Sequence, residues 1–164
     1  MGRRRNDEQI RVVNIRMVRE PSLYSEEKIT CPEDAVKVIA KDLATYDREV
    51  FGVLNLKTNG QPINFNICSV GTLDAAIVSP ANVVKSGILA NAASILVFHT
   101  HPSGNLEPSQ EDKDVTRRLL AATDILGLRL LDHVIVGGSQ DRIFSFRSAG
   151  LIDRLKPKHR EWER

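Results

Sequence analysis

The stretch "SILVFHTHPSGNLEPSQEDKDVTRRLLAATDILGLRLLDHVIVGG", Ser94 to Gly138, decides the fold. It opens on a continuous apolar run, Ser94 to Phe98, of the kind expected for a strand buried on both faces. Two histidines one residue apart follow, and Pro102, Ser103 and Gly104 then break the strand and turn the chain. Pro108 and Ser109 start a helix. Val115, Leu119, Leu120, Thr123 and Leu126 form its expected core stripe, and Gly127 stops it. "RLLDHVIVGG" then reads as another buried strand.

The rest of the chain adds elements of both kinds. "CPEDAVKVIAKDL" places Pro32 in a first helical turn with Glu33 and Asp34 beside it, and sets Ala35, Val36, Ile39, Ala40 and Leu43 at helical spacing. Arg48–Leu56 and Pro62–Gly71 are β-rich, and the "KTNG" between them carries the Asn-Gly pair of tight hairpins. "SPANVVKSGILANAA" reads as a helix with Ser79 as N-cap and Pro80 at its first position. "IRVVNIRMV", Ile10–Val18, alternates as a strand does, and "IFSFRSAGLI" predicts a short strand and a turn. The expected fold is a mixed α/β domain, a central mixed sheet flanked by helices. Residues 1–30 are expected to form an amino-terminal arm and strand, 31–148 the domain, and 149–164 a basic tail.

Bulk properties narrow the classes of function. A chain of 164 residues with 41% hydrophobic and 27% charged residues can bury an ordinary core without disulfides. Its 23 basic and 21 acidic residues give a net +2, which argues neither for nor against nucleic acid. The basic excess lies at the ends, Arg3–Arg5 and Arg154–Arg164. Cys31 and Cys68 form no CxxC pair, which suits a reducing cytosol and offers no zinc-thiolate site. No apolar run reaches the length of a membrane span and no signal peptide is evident, so the expected location is cytoplasmic.

Chemistry concentrates at the end of the decisive strand. Side chains alternate along a strand, so His99 and His101 project to one side if the chain stays extended there. With Asp112 in the first turn of the following helix they offer two nitrogens and an oxygen. Zinc bound that way retains a position for water, the arrangement of a catalytic site. A second role competes for Asp112. Ser109-x-x-Asp112 also fits a capping box, and a carboxylate turned back to cap its helix is expected to be lost to a metal. Standing together after a buried strand, the three residues favour the metal.

The string H-T-H, seven residues, then S-x-x-D resembles the motif of the JAMM metalloprotease superfamily. "HPSGNLEPSQEDKDVT…LLDHVIVGG" resembles its RadC branch, as does the preceding "VGTLDAAIVSPANVVKSGILANAASILVFHTHPSG", and the similarity runs from Cys31 to Ser148. The resemblance implies a JAMM-like domain with zinc held by His99, His101 and Asp112. It also implies that Glu49 in "REVFGVL" is the proton acceptor for the attacking water and that Ser109 assists the developing oxyanion. RadC sequences usually carry asparagine where Thr100 stands, and longer ones carry an amino-terminal helix-hairpin-helix region. Residues Met1–Thr30 are too short and strand-like for that region, so a short stand-alone form is expected.

Asp132 and His133 form a further pair, either standing behind the ligands or forming a satisfied polar pair at the sheet end. Lys85 reads as a solvated lysine and Cys68 as a buried strand cysteine. The expected function is zinc-dependent hydrolysis of a peptide or isopeptide bond in a protein substrate, with zinc favoured over manganese or iron. The rival reading is a DNA-associated RadC-like protein, a repair-related binder or metal-dependent nuclease, for which the near-neutral core promises no coherent basic surface. A scaffold that has lost its chemistry would have no reason to keep His99, His101, Asp112 and Glu49 together.

Overall fold

The computed structural model describes residues 17–18, 30–71, 78–138 and 142–157. But for Met17 and Val18, the strand expected at Ile10–Val18 lies outside them, as do Arg3–Arg5 and the end of the basic tail. The elements run in chain order α1 (Pro32–Leu43), β1 (Val50–Leu56), β2 (Pro62–Val70), α2 (Pro80–Leu89), β3 (Ser94–Thr100), α3 (Gln110–Ile125), β4 (Arg129–Val136), β5 (Ile143–Ser145) and α4 (Leu151–Leu155). The strands form one sheet in the order β2-β1-β3-β4-β5. Only β3 and β4 pair in parallel. A parallel pair needs a crossover, and α3 supplies it, so the chain leaves the carboxy-terminal end of the central strand β3 and turns into α3.

The sheet is covered on both faces, which explains the uninterrupted apolar runs. On one face Val50, Leu54, Leu96, Phe98, Val134 and Val136 pack against Ala35, Ile39, Ala40 and Leu43 of α1. On the other, Phe51, Val53, Ile95, Val97 and Ile135 meet Val83 of α2, Val115, Leu119 and Leu120 of α3, and Ile152 of α4. The hairpin forms at "KTNG", with Gly60 at φ 82°, a left-handed conformation that glycine adopts without a steric penalty.

Three expectations change. Leu126 is the C-cap of α3 and 48% exposed, because the helix has turned its apolar stripe away by that point. Ser79 stands at the N-cap of α2 but makes no side-chain cap bond. Residues 151–155, read as the start of a polar tail, form α4 and contribute Ile152 to the core. Among the described residues no helix is long and apolar enough to cross a membrane.

Candidate metal centre

His99 is the penultimate residue of β3 and His101 follows the strand, where its backbone N–H still donates to Val136 O of β4 (2.8 Å). The chain therefore stays extended through both histidines, which their shared direction requires. Gly104, at φ 77°, closes the turn with its N–H on His101 O (2.9 Å) and sends the chain back towards α3.

Asp112 is placed for both of the tasks that the sequence set in competition. Its Oδ2 accepts the Ser109 backbone N–H and the Ser109 hydroxyl, each at 2.8 Å, while Ser109 Oγ accepts the Asp112 N–H at 3.0 Å. The capping box is complete. Yet Asp112 Oδ1 faces His99 Nδ1 at 2.9 Å, and Oδ2 lies 3.5 Å from His101 Nε2. The expectation that capping would withdraw the carboxylate is corrected: it has two oxygens and about four acceptor directions, enough for both roles.

His99, His101 and Asp112 bring their donor atoms within 4.8 Å of one another. A tetrahedral zinc with bonds near 2.05 Å needs its ligand atoms about 3.3 Å apart, a value that the 2.9 and 3.5 Å separations bracket. The hydrogen bonding points the same way. Although Nδ1 and Oδ1 are close they are not aligned as donor and acceptor, so both nitrogens of buried His99 and Oδ1 of Asp112 have no hydrogen-bond partner. Such groups are costly inside a protein unless something binds them. His101 shares its Nδ1 with Asn105 O at 2.6 Å; donating there fixes the tautomer and leaves the Nε2 lone pair facing Asp112. The residues fit a small divalent cation.

His101 and Asp112 each shift the other's ionisation. The hydrogen bond to Asp112 raises the His101 pKa, against burial and with help from Asn105 O and the charges of Asp112 and Glu49. Burial alone would push the Asp112 carboxyl up, but His101, His99 and Ser109 outweigh it and hold it well below the usual carboxylate range.

Glu49 stands immediately before β1. Phe51 pairs with His99 in the antiparallel β1–β3 ladder, so extending that register by two residues sets Glu49 opposite His101 and on the same face. The electrostatic influence of Glu49 on His101 agrees with this. Glu49 lines an open cleft of about 440 Å³ with Arg48, Gly71 and Pro102. A larger depression of about 500 Å³ between α3, β4 and α4 contains none of the predicted site residues.

A family profile described as a RadC-like JAB domain matches residues 29–151, three-quarters of the chain and the whole of this site. The chain belongs to the RadC family. It is 41% identical over 124 residues to a UPF0758 protein of Desulforamulus reducens, covering 76% of this chain and 54% of that protein. It is 41% identical over 139 residues to UPF0758 protein lmo1549 of Listeria monocytogenes (83% and 61%), and 42% identical over 124 residues to a UPF0758 protein of Rubrobacter xylanophilus (76% and 53%). The chain thus spans little more than half the length of these curated relatives.

In this RadC domain the Asp132–His133 pair splits. Asp132 accepts hydrogen bonds from His133 N, Ser145 Oγ and Arg147 N, which tie β4 to the turn after β5. Burial raises its pKa against those three bonds. His133 lies on the opposite face, fully buried, its ring 6.1 Å from that of His99 and stacked on Phe146 at 4.5 Å. Burial pushes its pKa down to about 3, with the His99 and His101 charges acting in the same direction and Asp112 opposing.

Two residues given no role from the sequence support the site. Thr100 turns away from the ligands, as expected, and its hydroxyl accepts from Val50 N (2.8 Å) and donates to Arg48 O (3.1 Å), clasping the backbone on either side of Glu49. Thr116 Oγ1 lies 2.7 Å from both Asp112 O and His133 Nδ1. The signal for Thr116 was present, since it stands one helical turn after Asp112. Cys68 is partly buried beside the core and held by burial at a pKa of about 11, so it is a thiol without nucleophilic character.

Proposed function

We propose that the chain is a zinc-dependent hydrolase of the JAMM type acting on a peptide or isopeptide bond, with His99, His101 and Asp112 as zinc ligands. The observation that carries this reading is the set of unpartnered, buried atoms of His99 and Asp112 Oδ1 beside His101, with Glu49 on the same sheet face lining an open cleft. Family membership supports the bond class. A zinc ion held there would supply Lewis acidity, lowering the pKa of water and polarising a carbonyl.

The protein groups do the rest. Glu49 takes a proton from the attacking water on its carboxylate and returns it to the leaving amine nitrogen, the task of a general base that then serves as acid. The Ser109 hydroxyl, which donates to Asp112 Oδ2, re-aims its single hydrogen at the carbonyl oxygen as negative charge builds there. The Ser109 backbone N–H stays on Oδ2 and keeps the carboxylate oriented. A DNA-associated role rests on the basic ends, most of which lie outside the described residues, and no structural observation favours it.

The test compares the wild-type chain with Glu49→Gln for metal content and for cleavage of peptide and isopeptide-linked substrates. One zinc per chain in both proteins is expected, with cleavage lowered by roughly 10²- to 10⁴-fold in the variant. A folded wild-type chain that takes up no zinc, or cleavage that survives Glu49→Gln, would overturn the reading.

A further inference from the structure

Two unpartnered buried nitrogens stand on neighbouring strands. Thr116 Oγ1 makes the back-bond to Asp112 O common for threonine inside helices (2.7 Å), which uses its only hydrogen. Towards His133 Nδ1, also 2.7 Å away, it can therefore only accept, so the proton of the neutral His133 ring sits on Nδ1. Its Nε2 is left as a bare lone pair, and that atom is buried without a partner.

His99 presents the complementary deficit. Its Nδ1 is the nitrogen beside Asp112 Oδ1. When that nitrogen gives its lone pair to a cation, the ring proton must reside on Nε2, which is likewise buried and unpartnered. A buried donor and a buried acceptor thus lie in rings 6.1 Å apart and inclined by 35°. Phe51 flanks both rings and Phe146 stacks on His133. Metal ligation by histidine is commonly completed by an acceptor for its second nitrogen.

We propose that His133 is that acceptor: its Nε2 takes the His99 Nε2–H, directly or through one bridging water, and orients His99 for the metal. The contacts then form a loop, His99 to His133 to Thr116 to Asp112, joining two of the three candidate ligands across β3, β4 and α3. His133 is a positioning residue, and Thr116 sets its tautomer. The inference rests on the metal reading above and adds to it which residue holds His99 in place.

The test measures zinc affinity by chelator competition in the full-length wild-type chain and in His133→Phe, Thr116→Val and Thr116→Ser. It is combined with long-range proton–nitrogen NMR of the histidine rings in the zinc-loaded wild type. His133→Phe keeps a ring on Phe146 and removes the acceptor; zinc binding is expected to weaken by about 10- to 100-fold with the metal-free fold retained. Thr116→Val is expected to weaken it less, and Thr116→Ser, which keeps the hydroxyl, to match the wild type. In the wild type the His133 proton is expected on Nδ1 with Nε2 bare. Zinc affinity unchanged in His133→Phe, or a proton on His133 Nε2, overturns this inference alone. A folded wild-type chain that takes up no zinc removes the metal reading and the inference together. The wild-type spectrum decides the matter even if a variant fails to fold.

Discussion

At the scale of single residues, Asp112 caps its own helix while presenting the same carboxylate to two histidines. Its Oδ2 is bound by Ser109 and its Oδ1 is turned to His99. Ser109→Ala removes the acceptor for the Asp112 N–H and the hydroxyl donor to Oδ2 but keeps the backbone half of the capping box, and a loss of about 1 kcal/mol in urea unfolding of the metal-free protein is expected. Zinc affinity, followed by chelator competition, is expected to fall in the same variant because Asp112 loses an anchor. His101 and His133 give the metal-free protein opposite pH dependences. The raised pKa of His101 contributes stability present below its unfolded value near 6.5 and lost as pH climbs through the folded value. His133, pushed down to about 3, binds a proton in the unfolded chain that the folded one refuses, so stability is lost as pH falls from about 6.5 towards 3. That loss is on the order of 5 kcal/mol across the window. Urea midpoints of chelated protein between pH 3 and 7 should therefore fall more steeply in the wild type than in His133→Phe. The depressed Asp112 pKa adds acid lability to both proteins, so it does not account for a difference; parallel profiles would refute the assignment.

At the scale of elements, the start of β1 positions Glu49. Just ahead of β1 the chain is held by Gly71 N–H on Glu49 O (2.9 Å) and by the Thr100 hydroxyl, which clasps Arg48 O and Val50 N around Glu49. Thr100→Val keeps the shape and strands the buried Val50 amide, so a loss of about 1–3 kcal/mol is expected in thermal or urea unfolding. Thr100→Ser should recover most of it. Two residues further on, Gly52 leaves room for a neighbour on β2: a Cβ built there would lie 2.4 Å from Phe65 Cζ and 2.7 Å from Cε2. The Phe65 ring is held edge-on against Phe98 at 5.7 Å. Gly52→Ala should therefore cost about 1–3 kcal/mol by overpacking, and a double-mutant cycle with Phe65→Leu should return part of it. An isolated glycine in a strand signals a close approach, but which neighbour approaches depends on strand order.

At the scale of the whole molecule, the two hydrophobic clusters on either face of the sheet complete themselves without the candidate metal ligands. The domain is therefore expected to stay folded when chelated. Zinc at 100 times its dissociation constant would add about 2.7 kcal/mol, which corresponds to a rise in Tm of roughly 5–10 °C for a chain of this size. Calorimetry with and without chelator, with far-UV circular dichroism to follow the fold, checks both statements. Loss of helical signal on chelation would show the metal to be structural.

The sequence by itself determined most of the elements, because strands buried on both faces and amphipathic helices each leave a local periodicity. Strands β1 to β4 and helices α1 to α3 appear within a few residues of where the pattern of Ala35, Ile39 and Leu43, the run Ser94–Phe98 and the "KTNG" turn set them. It also singled out His99, His101, Asp112 and Glu49, through short-range spacing and a resemblance that proved to be family membership. It missed α4, since five residues with one buried isoleucine carry too little periodicity to register. Tertiary structure alone decided what crosses between elements. The strand order brings Glu49 opposite His101, and the packing of α3 on β4 sets Thr116 against His133. Local pattern could not place Thr100 around Glu49, nor reveal that Asp112 faces two ways. Those facts depend on which surfaces meet in space, and pairing across a sheet is set by the burial of the whole chain rather than by neighbours along it.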